Sequence, residues 1–135
     1  MSLTPKLLSF AVLMALGGTA AAGNPHVDRA LGLIKNNGAA VKASAADAFV
    51  ARDVIVDANG TEHVRFDRTY GGLPVIGGDV VVHSRGGQLK STSLTLDAPL
   101  SVNLHPNLRP DDAIVAAGAE FGSDFNGTPN ASLVV

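Results

Sequence analysis

Three glycine pairs, Gly71-Gly72, Gly77-Gly78 and Gly86-Gly87, cut the middle of this chain into pieces too short to be helices. Glycine costs about 1 kcal/mol inside a helix, yet it is the default residue where a turn needs positive φ or a close backbone approach. Between the pairs the apolar residues alternate. The stretch from His63 to His83 therefore reads as strand, glycine turn, short apolar piece, glycine turn, strand. Within it Val64, Phe66 and Tyr70 point one way, and His63, Arg65, Asp67 and Thr69 the other. Arg68 falls on the apolar side near the strand end, where its stem packs and its head is expected to escape to water.

The flanking segments extend this pattern. From Phe49 the period is two, with Val50, Val54 and Val56 expected on one face and Arg52 interrupting it. Asp57-Ala58-Asn59-Gly60 is a turn with the strongest short hairpin signal, Asn-Gly. Leu73-Pro74-Val75-Ile76 contains proline and belongs at an edge or a bulge. Asp79–Ser84 and Gln88–Leu96 form a further hairpin around Arg85-Gly86-Gly87. Ahead of them, Asn24 caps a helix over Pro25–Asn36 whose Val27, Ala30, Leu31 and Ile34 share a face, with Gly38 suited to the left-handed position beyond its end. Ala39–Ala48 fits either a loose helical turn or an irregular connection. The expected fold is α+β: an antiparallel sheet of about four strands with a helix packed on one face, followed by a partial second α/β module.

That second part begins after a linker, residues 98–109, with two prolines and no period. Pro110-Asp111-Asp112 opens a helix, with the acids at its positive end. Ala113, Ile114, Ala117, Gly118 and Phe121 form its inner stripe and Gly122 ends it; Ser132–Val135 looks like a strand just beginning. A helix and half a strand have no core of their own, so the chain is expected to be a piece of a longer product.

Residues 1–22 read as a signal peptide: Lys6, an apolar run over Leu7–Leu16, and Ala20-Ala21-Ala22 before Gly23, with cleavage expected between Ala22 and Gly23. The run is shorter than the roughly 20 residues of a membrane span. The expectation is an exported protein, secreted or periplasmic, with no membrane association once the signal is removed. The formal charge of −2 and the absence of any Lys/Arg cluster argue against a nucleic-acid partner. No cysteine is present, which excludes disulfides and thiolate metal sites. Asn59, Asn126 and Asn130 each begin a glycosylation sequon, a pattern common by chance.

Asp57-Ala58-Asn59-Gly60, His63-Val64-Arg65-Phe66, Tyr70-Gly71-Gly72-Leu73-Pro74-Val75 and Gly77-Gly78-Asp79 through His83 together resemble the propeptide of fungalysin/thermolysin-type secreted zinc metallopeptidases. The resemblance covers about Phe49–Leu96. A weaker resemblance links Arg109–Val135 to the start of the PepSY module that follows in such precursors. It implies a division into a signal peptide (1–22), a propeptide domain (23–97), a linker (98–109) and a truncated PepSY-like segment (110–135). It also implies a pro-domain acting as intramolecular chaperone and inhibitor, with the cognate metallopeptidase catalytic domain as partner. The alternative is a free-standing exported inhibitor or binding module acting in trans. Candidate partner-contact residues are Arg65, Tyr70, Gly72, Leu73, Pro74, Val75, Gly77, Gly78 and His83.

No catalytic, cofactor-binding or metal residue is assigned. His-Glu-x-x-His is absent, and no two of His26, His63, His83 and His105 stand at helical i, i+4 spacing. Zinc is expected only in the catalytic domain. His63 and His83 could meet across strands, with Asp67 or Asp79 nearby, but a metal needs a converging third ligand; partly exposed strand histidines are the ordinary reading. Asp79 and His83 with Ser84 or Ser91 lack a nucleophile elbow. The glycine pairs lack the Gly-Lys-Ser/Thr of a phosphate loop and are turns.

Overall fold

The computed structural model describes residues 23–122 and 126–135. Ala22 and the signal segment lie outside the described residues. In chain order the elements are α1 (Pro25–Asn36), a 3-10 turn (Gly38–Val41), β1 (Asp47–Val56), β2 (Thr61–Tyr70), β3 (Leu73–Pro74), β4 (Val80–Arg85), β5 (Gln88–Leu94) and α2 (Pro110–Phe121). The class is α+β. One antiparallel sheet runs β1-β2-β4-β5, and β3 pairs with the end of β2 beyond its pairing with β4.

The turns select the register. Gly60 takes φ 81°, and Asp57 N–H bonds to Thr61 O at 2.8 Å to close the first hairpin. Gly86 and Gly87, both at positive φ, make the two-residue turn that sets Arg85 opposite Gln88. With those turns fixed, Val64, Phe66, Val80 and Val82 fall on one face and are fully buried. Helix α1 lays Ala30 and Ile34 on that face, and Val41 of the 3-10 turn completes the core. Asn24 caps α1 by accepting from His26 N at 3.0 Å. Arg29 reaches from α1 to Glu62 of β2 through two hydrogen bonds, at 2.6 and 3.3 Å, which orient the helix on the sheet.

Three local expectations are corrected. Val50 does not share the core face: it is exposed, because a bulge between Ala51 and Asp53 adds Arg52 to β1 and reverses the parity before it. Phe49 and Ala51 stand opposite Arg68 and Phe66 instead. Gly38 does not take a left-handed C′ position. It opens the 3-10 turn, and Lys42 adopts the left-handed conformation at φ 54°.

The third correction concerns Arg68. Its head does not escape to water: its side chain and that of Asp47 are both 0% exposed. Arg68 Nε donates to Asp47 Oδ1 at 2.6 Å, while its two terminal nitrogens donate to Val41 O at 3.2 Å and Lys42 O at 2.7 Å. Phe49 packs its ring 5.5 Å from the guanidinium. Asp47 Oδ2 accepts from the amide and hydroxyl of Ser44. Among the described residues no buried side-chain nitrogen or oxygen, in this group or elsewhere, lacks a hydrogen-bond partner, as burial demands.

Helix α2 begins at Pro110 with Asp111 and Asp112 in its first turn and ends before Gly122 at φ 82°. Its stripe is not covered as a core face would be. Ala113, Ile114 and Gly118 are half-buried beside Pro129–Ala131, whereas Ala117 and Phe121 are exposed.

Replacing Arg68 by alanine leaves Asp47 buried and unpaired, so Arg68→Ala should cost about 3–5 kcal/mol in urea unfolding. The double replacement Arg68→Met with Asp47→Leu removes both charges but leaves Val41 O, Lys42 O and the Ser44 amide without these partners, so it should recover only part of that loss. Phe66→Ala, with no polar partner involved, should cost a similar 3–5 kcal/mol through the cavity it leaves.

Candidate functional site

The sheet has one covered and one open face. The open face carries His63, Arg65, Asp67, Val81 and His83, because these alternate with the buried residues of β2 and β4. His63 and His83 stand directly opposite in the ladder. Their Nδ1 atoms lie 2.6 Å apart. Their other nitrogens reach Asp57 Oδ2 and Ser93 Oγ, each at 2.9 Å.

One protonation pattern satisfies this whole row with both imidazoles neutral. Ser93 donates its hydroxyl to His83 Nε2, His83 Nδ1–H donates to His63 Nδ1, and His63 Nε2–H donates to the Asp57 carboxylate. The groups form a line across β5, β4, β2 and the first hairpin turn. They do not surround a point, so the row does not have the shape of a metal site. Among the described residues no group of three or more His, Cys, Asp or Glu side chains is placed to hold a metal ion.

The sequence anticipates the meeting of the two histidines, and Ser91 does stand opposite His83, but Asp67 and Asp79 are engaged elsewhere and the hydroxyl bonded to His83 is that of Ser93. Asp79 pairs with Arg65 at 3.4 Å, and Asp67 with Arg52 at 3.3 Å. Ser84 is buried on the opposite face, so Asp79, His83 and Ser84 form no triad. Neither alternation nor motif spacing points to Asp57 and Ser93 as partners of the two histidines. Asp57 was legible as the first residue of a turn, but only the sheet register shows it reaching His63.

The remaining candidate residues gather at the second feature, the edge loop after β2. Tyr70 and Leu73 face each other across β2 and β3, and Thr69 faces Pro74. Gly72 and Gly77 take φ 84° and 70°. Gly78 meets the other requirement, close approach, since a Cβ there would collide with the Val75 side chain. Val75 N–H bonds to Arg68 O at 3.0 Å, whereas Ile76 is 72% exposed. Arg65 and His83 belong to the open face, and Arg65–Asp79 stands between the histidine row and this loop. The nine candidates thus form two neighbouring groups.

Residues 47–95 match the model of the Fungalysin/Thermolysin Propeptide Motif. The matched span coincides with the sheet, from the first residue of β1 to just past β5. The chain is also 40% identical over 82 residues to the transglutaminase-activating metalloprotease of Streptomyces mobaraensis. That match covers 56% of this chain and 11% of the relative, so the chain spans a small part of that protein's length. Among the described residues no helix is long and apolar enough to cross a membrane.

The pH dependence of stability follows from the ionisable groups. Burial, and next the neighbouring His63 imidazole, push His83 below the ordinary imidazole value of about 6.5. As pH falls through about 6.5 the unfolded chain takes up that proton first, so stability declines until His83 titrates in the folded state. Burial alone would raise Asp47, but hydrogen bonds from Arg68 and Ser44 outweigh it and hold the carboxyl low. Hydrogen bonds from Arg29 hold Glu62 low against its burial. Their contribution is present above the unfolded carboxylate range and is lost as pH falls through their folded values. Melting temperature measured from pH 8 to pH 3 should therefore show two declines. His83→Gln should remove the first and keep the second.

Proposed function

We propose that this chain is the pro-segment of a secreted zinc metalloendopeptidase, acting as folding template and inhibitor of the catalytic domain. The observation that carries the proposal is the coincidence of the matched propeptide motif with the whole sheet. The similarity to a metalloprotease supports the same reading. In this reading the folded module spans 23–97, residues 98–109 link it to the segment 110–135, and zinc belongs to the catalytic domain. Residues 1–22 supply the export signal, removed between Ala22 and Gly23.

The physical basis is a rigid sheet with an open, polar-rimmed face. Arg52, Arg65, Asp67 and Asp79 pair in exposed positions, where ion pairs contribute little to stability and remain free to exchange partners. A protease held in a partly folded state exposes apolar surface and unpaired strands. A preformed sheet offers a template for them, and a lasting complex blocks the substrate cleft. Catalysis is not asked of the histidine row in this role.

Refolding of a denatured thermolysin-type catalytic domain tests the proposal. Equimolar residues 23–135 should raise the yield of native enzyme, scored after proteolytic removal of the chain, and should inhibit the native enzyme beforehand. No change in either yield or activity would refute the reading. Arg65→Glu should weaken inhibition by at least tenfold while leaving the melting temperature of the chain within a few degrees, because the Arg65–Asp79 pair is exposed.

A further inference from the structure

The edge loop after β2 is touched twice by the segment that follows the sheet. Val135 N–H bonds to Pro74 O at 2.9 Å, and Val135 O accepts from Ile76 N–H at 2.7 Å. Two bonds from one residue that straddle Val75 are the spacing of a parallel ladder. Leu104 supplies the second contact: its side chain lies against Gly71, where a Cβ would collide with it. Gly71 holds φ 55°, so both its conformation and its missing side chain are used.

We infer that Gly71–Ile76 is a strand-addition seat for this chain's own segment 132–135, joining the propeptide sheet to the part that follows it. The chemistry of the seat fits one short extended apolar strand. Val75 N–H is turned inward to Arg68, which leaves Pro74 C=O and Ile76 N–H directed outward. Pro74 has no N–H, so the ladder cannot run on past it as on an open edge. The occupant is Ser132-Leu133-Val134-Val135, mostly residues that favour extended backbone. Leu133 meanwhile shares a cleft with Pro106, Leu108 and Ala113 at the start of α2. The seat therefore also ties α2 to the sheet. This inference rests on main-chain geometry and stands whether or not the chain inhibits a protease.

Amide hydrogen exchange on residues 23–135 tests it. Ile76 N–H should be protected, and Val135→Pro, which removes one of the two bonds, should speed its exchange at least tenfold. Val75 N–H, bonded to Arg68 within the sheet, should keep its protection in the same variant. Equal exchange at Ile76 in both proteins, or no protection there at all, would overturn the seat. The chain has no cysteine, so crosslinking gives a second readout. The double variant Val75→Cys/Val135→Cys places the pair in register and should form an intramolecular disulfide on mild oxidation. Leu73→Cys/Val135→Cys, two residues out of register, should not. Disulfides in both variants, or in neither, would overturn the parallel register.

Discussion

The guanidinium of Arg68 is the point at which the 3-10 turn and the start of β1 are fastened to β2. It sits inside the core, on the same face as Val64 and Phe66, and its donors are shared among Asp47, Val41 and Lys42. Removing the carbonyl partners would leave a buried cation short of acceptors, and removing Asp47 would leave it short of charge. The 3-10 turn is consequently held against the sheet by polar bonds as well as by Val41. Those bonds fix the start of β1, and with it the pairing of Asp47 with Tyr70. The hydrophobic core alone would tolerate some sliding of an alanine-rich connection. A planar fork with fixed donor directions does not.

Much of the fold was legible because it depends on local chemistry. Asn24 and Pro25 mark the start of α1, Asn59-Gly60 and Gly86-Gly87 mark two hairpins, and Pro74 marks an edge piece. What the sequence hid depended on parity or on distant partners. A single extra residue, Arg52, turns Val50 outward while leaving the apolar pattern plausible either way. Arg68 looks like an end-of-strand arginine until Asp47 and two free carbonyls are seen to converge on it. The meeting of His63 and His83 could be anticipated from alternation, whereas Asp57 and Ser93 enter the row only through the registers of two separate pairings.

The same contrast separates the two candidate surfaces. The open face presents side chains, and its geometry is dictated by strand register and by exposed, exchangeable ion pairs. The edge after β2 presents main chain, and its geometry is dictated by glycine and proline. One surface is suited to reading the shape and charge of a partner. The other is suited to accepting the main chain of one short extended apolar strand. On the proposed reading, a pro-segment that both engages an enzyme and stays continuous with neighbouring chain has a use for each.

Tyr70 has a practical consequence. It is the sole tyrosine in a chain with no tryptophan, and it stands where β1, β2 and β3 meet, opposite Asp47 on one side and Leu73 on the other. With excitation beyond the phenylalanine band, near-ultraviolet emission from the unlabelled chain therefore originates at one seam. A bound protein would add its own emission unless it too were free of tryptophan and tyrosine. In the isolated chain, then, the intrinsic signal monitors the opening and closing of that corner.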